Sequence, residues 1–85
     1  MVWHIKWSKT AEKQLSRIDD KNAQKIVTKL EEITHDPYVY TEKLWGFDLR
    51  KLRVGNYRVI LGIEGQKMII FVVEVGHRSK IYKNY

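Results

Sequence analysis

The sequence contains no cysteine, one proline and no long apolar segment. Without cysteine, neither a disulfide framework nor a thiolate zinc site can form. The longest apolar run, residues 68–73, is far below the roughly 20 residues of a membrane-spanning helix. The N-terminal stretch carries charges among its apolar residues, unlike a secretory signal. Together these absences predict a cytoplasmic protein with no membrane segment.

Acidic residues are scarce in the second half of the chain. Residues 1–48 carry equal numbers of acidic and basic side chains, so the whole net charge of +6 lies in residues 49–85. Such a concentration of positive charge indicates a polyanionic partner, nucleic acid first and an acidic protein second. The length of 85 residues, 44% of them hydrophobic, predicts a single domain, residues 1–85, with one modest core.

The first half of the sequence predicts a strand followed by two helices. Residues 2–7 alternate between apolar and polar side chains, as a strand with one buried face does. Ser8 or Thr10 can cap a first helix, and a second helix starts near Asp20 and ends before Pro37. Lysines on the polar side of the second helix fit a solvated face: Lys21, Lys25 and Lys29.

The second half predicts strands, after residues 38–48, which show no clear element. The predicted strands are residues 49–54, 57–63 and 67–75. The last is apolar on both faces over residues 68–73, which predicts a central strand covered on both sides. The expected fold class is α+β: an N-terminal strand, a two-helix hairpin and an antiparallel strand meander, with the helices packed on one face of the sheet.

A basic hairpin is the most informative local feature. Gly55 and Asn56 are typical of a two-residue turn, and this loop places Arg53 directly opposite Arg58. Opposed like charges weaken a sheet by about 0.2–1 kcal/mol. Lys51 shares their face, because side chains alternate along a strand. A solvated face would accommodate such a patch, but paired arginines also suit bidentate contacts to a phosphate.

The stretch KLWGFDLRKLRVGNYRVI, followed by FVVEVGHRSKIY, resembles the RelE-like branch of the RelE/ParE toxin superfamily. The resemblance implies the toxin of a type II toxin–antitoxin pair, a ribosome-dependent endonuclease that cuts messenger RNA in the A site and is neutralised by a cognate antitoxin. It implies a catalytic set of five residues: Lys51, Arg53, Arg58, Arg78 and Tyr82. Further RNA contacts are expected from four others: Arg50, His77, Lys80 and Lys83.

The expected chemistry is attack of the RNA 2′-hydroxyl on the adjacent phosphate. Lys51 is the candidate proton acceptor, since neighbouring cations disfavour its protonated form. Arg53 and Arg58 would clamp the phosphate, and Arg78 would stabilise or protonate the leaving oxygen. Tyr82 would stack on a base or orient the 2′-hydroxyl. The only acids expected near this patch are Glu64 and Glu74.

Two other functions remain open from the sequence. One is a ParE-like toxin that inhibits DNA gyrase without nuclease activity. The other is a basic module that grips RNA without cutting it, because positioned arginines serve both roles. The three histidines show no metal-ligand spacing, so neither a metal nor a cofactor is expected.

Overall fold

A computed structural model of the chain describes residues 2–81. In this range the strands are β1 (His4–Trp7), β2 (Glu42–Lys43), β3 (Arg50–Val54), β4 (Tyr57–Glu64) and β5 (Ile69–His77). The helices are α1 (Lys9–Ser16), α2 (Asp20–Ile33), α3 (Pro37–Tyr40) and α4 (Arg78–Ile81). The order of elements confirms the predicted α+β class.

All five of these strands form one sheet in the order β1-β5-β4-β3-β2. The meander of β3, β4 and β5 is antiparallel, as predicted. In contrast, β1 pairs with β5 in parallel, so the sheet as a whole is mixed. A parallel pair needs a crossover connection. Here the chain between the paired strands includes α1 and α2.

The core lies between the two long helices and one face of the sheet. Its fully buried side chains are Ala11, Ile26, Leu30, Ile33, Leu52, Val59, Leu61, Ile70, Val72 and Val75. Each large aliphatic side chain that is buried here contributes about 1.5–3 kcal/mol relative to exposure. This packing confirms that the helices cover one face of the sheet.

Side-chain caps begin both long helices. The Ser8 hydroxyl accepts a hydrogen bond from the backbone N–H of Ala11 at 3.0 Å and caps α1. Asp19 caps α2 by accepting from the backbone N–H of Asn22 at 3.2 Å. Such caps satisfy N–H groups that have no partner within the helix. The structure thus selects Ser8 rather than Thr10 as the first cap.

Several segments differ from the sequence prediction, among them β5, which ends at His77 and not at residue 75 and is followed by the unpredicted α4. Residues 38–48, expected to lack an element, contain most of α3 and all of β2. The second hairpin turn spans residues 65–68, with Met68 at a φ of 54°, whereas the predicted strands left only residues 64–66 between them. On β5, Phe71 is 38% exposed, so coverage of both faces is wrong there. The helices pack on the opposite face, and this leaves Phe71 open to solvent.

Candidate functional site

The β3–β4 hairpin has the predicted register. Arg53 pairs with Arg58, and Val54 pairs with Tyr57 beside the turn. Gly55 has a φ of 59°, which a type II′ turn requires at its first central position. No atom lies within 4 Å of a Cβ built at Gly55, so backbone conformation and not space favours glycine. This turn fixes the two arginines opposite each other.

The three cations of the hairpin differ in burial. Arg58 is only 9% exposed, while Arg53 is exposed. The Lys51 side chain is 27% exposed. A buried guanidinium is unusual, because desolvating a charge is costly. The patch is therefore set into the surface at Arg58 and open to solvent at Arg53.

A cleft of about 290 Å³ joins these cations to residues of the helical layer. It is lined by Lys29, Tyr40, Glu42, Lys51, Leu52, Arg53 and Arg58. We call it the β3-edge cleft. Within residues 2–81, β2 pairs with β3 only at Arg50 and Lys51. The rest of β3 is an edge of the sheet there, and the cleft reaches residues of both faces.

Glu42 is an acidic member of the cleft that the sequence prediction missed. Its carboxylate lies 3.5 Å from the Lys51 ammonium, and its side chain is 80% exposed. The prediction that Glu64 and Glu74 are the only nearby acids is thus wrong. The pairing of β2 with β3 creates this contact, and only recognition of a hairpin around residues 44–49 could have revealed it.

Tyr40 and Lys29 form the helical wall of the cleft. Tyr40 is 50% exposed, and the Lys29 ammonium lies 5.3 Å from its ring centroid. Lys29 also contacts the Glu32 carboxylate at 3.3 Å. Lys29 is half-buried and does not belong to a purely solvated face as predicted. No pattern in the sequence marks Tyr40, because α3 itself was not predicted.

Arg78 lies next to the hairpin but does not line the cleft. Its backbone N–H donates to the Asn56 carbonyl oxygen at 2.9 Å. This bond ties the start of α4 to the β3–β4 turn, in agreement with the expectation that Arg78 lies near the patch. Tyr82 and Lys83, two other predicted site residues, lie outside the described residues.

Arg50, expected to bind RNA, binds the chain itself. Its Nε donates to the Thr41 hydroxyl at 2.7 Å. Its Nη2 donates to the carbonyl oxygens of Thr41 at 2.9 Å and Tyr38 at 3.3 Å. The guanidinium also lies 5.3 Å from the Tyr38 ring centroid. Arg50 therefore holds the end of α3 against β3, on the face opposite Lys51.

His77 and Lys80 line a second, larger cleft of about 640 Å³. We call it the α1–β5 cleft, because it lies between the end of α1 and the second half of β5. The His77 and Tyr57 rings meet edge to face with centroids 5.6 Å apart. The structure thus separates these predicted RNA contacts from the β3-edge cleft.

Asp19 also lines the α1–β5 cleft. The pKa of its carboxyl is lowered, first by a hydrogen bond from the Asn22 side-chain amide and second by one from the Asn22 backbone N–H.

Across residues 2–81, no group of three or more histidine, aspartate or glutamate side chains is arranged to hold a metal ion.

The family of the chain follows from comparison with known proteins. A family model described as the ParE toxin of type II toxin–antitoxin systems, parDE, matches residues 5–82. The chain belongs to the RelE/ParE toxin superfamily. This membership confirms the resemblance seen in the sequence and makes the protein a type II toxin.

A curated relative and two solved structures extend the comparison. The messenger RNA interferase toxin RelE of Escherichia coli K12 is 26% identical over 96% of this chain and 92% of its own length. The RelBE2 toxin–antitoxin complex of Mycobacterium tuberculosis contains a similar chain, with a TM-score of 0.86, 17% identity and coverage of 94% and 95%. The intact E. coli RelBE complex gives a TM-score of 0.75, 25% identity and coverage of 88% and 95%. The toxin therefore has a RelE-like fold.

None of the helices in residues 2–81 is long and apolar enough to cross a membrane.

Proposed function

We propose that this toxin is an endonuclease that cuts messenger RNA in the ribosomal A site. The observation that carries the proposal is the β3-edge cleft, in which Lys51, Arg53 and Arg58 line one concave surface. The directly opposed arginines favour a phosphate between them, because an anion relieves their mutual repulsion. The relative named as a messenger RNA interferase supports the same activity.

The reaction would proceed by in-line attack of an RNA 2′-hydroxyl on the adjacent phosphorus. The new bond joins the 2′-oxygen to phosphorus, and the bond from phosphorus to the 5′-oxygen breaks. This leaves a 2′,3′-cyclic phosphate and a 5′-hydroxyl. One proton leaves the 2′-hydroxyl and one reaches the departing oxygen, so the site needs a proton acceptor, a proton donor and stabilisation of the phosphorane-like transition state.

The cations of the hairpin supply these roles in our proposal. Arg53 and Arg58 hold the phosphate and stabilise its added charge, since guanidinium forks match phosphate oxygens. Arg78, next to the turn, assists the leaving oxygen. Lys51 is the proton acceptor, and in the free toxin its Nζ lies 3.5 Å from the Glu42 carboxylate. Tyr82 completes the proposed set as a residue that contacts a base or the 2′-hydroxyl.

No histidine lines the β3-edge cleft, so the usual general base of a small ribonuclease is missing there. The proposal therefore includes the ribosome. Positioning of the message by the ribosome would supply orientation that the cleft lacks. The proposed protein partner is a cognate antitoxin, as in the RelBE complexes among the similar structures. The +6 half of the chain favours docking of an acidic segment.

A gyrase-inhibiting activity is the second candidate function. The observation that favours it is the description of the matching family model as a ParE toxin. The basic strand with its opposed arginines weighs against it, because a phosphate-binding patch is not required for a protein-binding inhibitor. A third function, RNA binding without cutting, would use the same cleft.

Primer extension on a defined message in a reconstituted translation system tests the proposal. We expect wild-type toxin to cut within the A-site codon only when ribosomes are present. Arg58→Ala and Tyr82→Ala should lose cutting while keeping the fold, as judged by circular dichroism. Lys67→Ala is the charge-matched control, because Lys67 lies in the turn at the far end of β4.

The same preparation separates the rival functions. An uncut message together with loss of gyrase supercoiling activity would establish the ParE-like function. Salt-dependent RNA binding without cutting, on ribosomes or off them, would establish the binding module. Equal loss of cutting in Lys67→Ala and Arg58→Ala would remove the assignment of the cleft.

A further inference from the structure

We propose that Tyr40 is a substrate-binding residue on which an RNA base stacks while Arg53 and Arg58 hold the scissile phosphate. The base belongs to a nucleotide next to that phosphate. This inference rests on the proposed function and adds to it a residue that neither the sequence pattern nor the resemblance identified.

The first observation is the position of the ring. Tyr40 lines the β3-edge cleft together with the cations of the hairpin. Half of Tyr40 is exposed, so core packing does not account for an aromatic side chain at this point. An aromatic ring beside a positively charged groove is the arrangement by which proteins bind single-stranded nucleic acid.

The second observation is that α3 is held in place. Arg50 donates three hydrogen bonds to the end of this helix, at the Thr41 hydroxyl, the Thr41 carbonyl and the Tyr38 carbonyl. The Thr41 hydroxyl in turn donates to the Pro37 carbonyl at 2.6 Å. A four-residue helix has little stability of its own. These bonds preorganise the Tyr40 backbone, which reduces the entropy lost on binding.

The third observation is the charge around the ring. The Lys29 ammonium lies over the Tyr40 ring, and the Glu32 carboxylate contacts this ammonium. The lysine restricts the ring and adds a cation to the lining of the cleft. The helical wall of the cleft thus combines one aromatic and one cationic side chain, and the strand wall supplies the phosphate clamp.

Single-turnover cutting on programmed ribosomes tests the stacking role. A stacked base contributes about 5- to 150-fold to binding, so Tyr40→Leu should slow cutting at subsaturating toxin by a factor in this range. Tyr40→Phe should stay within about twofold of wild type, because it keeps the ring. Trp45→Leu is the matched control: Trp45 is 96% exposed but does not line the cleft.

Messages with one abasic nucleotide next to the cut site separate stacking from a structural effect. Removing the base that packs on Tyr40 should slow wild-type toxin and have no further effect on Tyr40→Leu. If the two losses multiply at every position, or if wild type tolerates abasic sites on both sides of the cut, the inference is wrong. Tolerance of the abasic sites by wild type overturns the inference even if Tyr40→Leu folds poorly.

The outcomes also separate this inference from the proposed function. Wild type that cuts while Tyr40→Leu cuts equally well overturns the role of Tyr40 alone. Wild type that leaves every message intact overturns the proposed function, and the stacking role with it.

Discussion

The two clefts of this toxin differ in volume and in the charges of the side chains that line them. The α1–β5 cleft has about 640 Å³ and is lined by both acidic and basic side chains, among them Arg17, Asp19, Glu74 and Lys80. The β3-edge cleft has about 290 Å³ and combines four cations with one exposed carboxylate. A polyanion is attracted by an excess of positive charge and not by a larger cleft volume. The smaller cleft is therefore the better candidate for RNA.

The backbone of each cleft gives a second contrast. Beside the α1–β5 cleft, side chains of α1 and its cap close the open edge of β5: Gln14 accepts from the Val75 N–H at 2.7 Å, and Ser8 donates to the Val73 carbonyl at 2.8 Å. At the β3-edge cleft, the lining side chains include two guanidinium and two ammonium groups. One cleft is bordered by bonds that hold the fold together, and the other gathers cations along the edge of β3.

Removing a phosphate-clamping arginine should have the largest effect. We expect Arg53→Ala to slow message cutting by about 100- to 1,000-fold, because a positioned donor to the transition state is lost. Rates from primer extension on programmed ribosomes measure this. The fold should persist, since Arg53 is exposed.

Arg17→Ala provides the comparison for that variant, because it removes an arginine from the α1–β5 cleft. We expect cutting within about threefold of wild type, as for one remote charge in physiological salt. A loss equal to that of Arg53→Ala would transfer the RNA site to the larger cleft.

Loosening α3 from β3 should have the next largest effect, and this effect should be centred on the β3-edge cleft. Arg50→Ala removes three hydrogen bonds from the end of α3, so we expect a loss of about 1–3 kcal/mol in the free energy of unfolding. Urea denaturation measures the loss. Hydrogen exchange should become faster in α3 by a larger factor than in β5, whose core amides exchange through global unfolding. Equal acceleration in both would contradict a local role.

The ion pair in the β3-edge cleft should matter little for stability. Glu42 is 80% exposed, so Glu42→Gln should change the free energy of unfolding by no more than about 1 kcal/mol. Removing a negative charge from the cleft should strengthen RNA binding at low salt. Fluorescence anisotropy with a short RNA measures this, and weaker binding would show that the carboxylate contacts RNA favourably.

Glu64→Gln is the control, because it removes the partner of Lys67, 3.9 Å away in the far turn. It should leave RNA binding nearer the wild-type value than Glu42→Gln does.

The last expected effect is at Asp19, beside the α1–β5 cleft, and it depends on pH. Hydrogen bonds from Asn22 lower the pKa of this carboxyl in the folded protein. Its stabilising contribution is therefore fully present above the unfolded pKa of about 4 and is lost as the pH falls through the lower folded value. Asp19→Ala should melt below wild type at pH 7, and the gap should close in acid. A gap that widens in acid would contradict the sign of the shift.

Much of the hairpin could be predicted from the sequence, because its geometry is local. A two-residue turn at Gly55 fixes which residues face each other, and the observed pairing of Arg53 with Arg58 confirms the prediction made from this spacing. The cap of α1 was narrowed in the same way to Ser8 or Thr10, and the structure shows Ser8. Such features depend on neighbours along the chain and little on the rest of the fold.

The other wall of the cleft could not be predicted. Tyr40, Glu42 and Lys29 come from segments whose positions depend on packing, and the two-residue strand β2 leaves almost no pattern to read. The structural role of Arg50 could not be predicted for the same reason, because its hydrogen-bond partners lie at the end of α3. From the sequence alone, Arg50 was interpreted as an RNA contact because it is basic. Only the structure shows that its guanidinium binds the end of α3.

The order of amino acids is enough to establish the α+β class, the toxin superfamily and the opposed arginines of the hairpin. The fold class and the opposed arginines follow from periodicity and turn chemistry, which act over a few residues. The superfamily follows from the resemblance of the sequence to known toxins. Three-dimensional packing, in contrast, makes β1 run parallel to β5 and brings α3 and the hairpin together in one cleft. Those arrangements depend on burying one common core, and burial is a property of the whole chain.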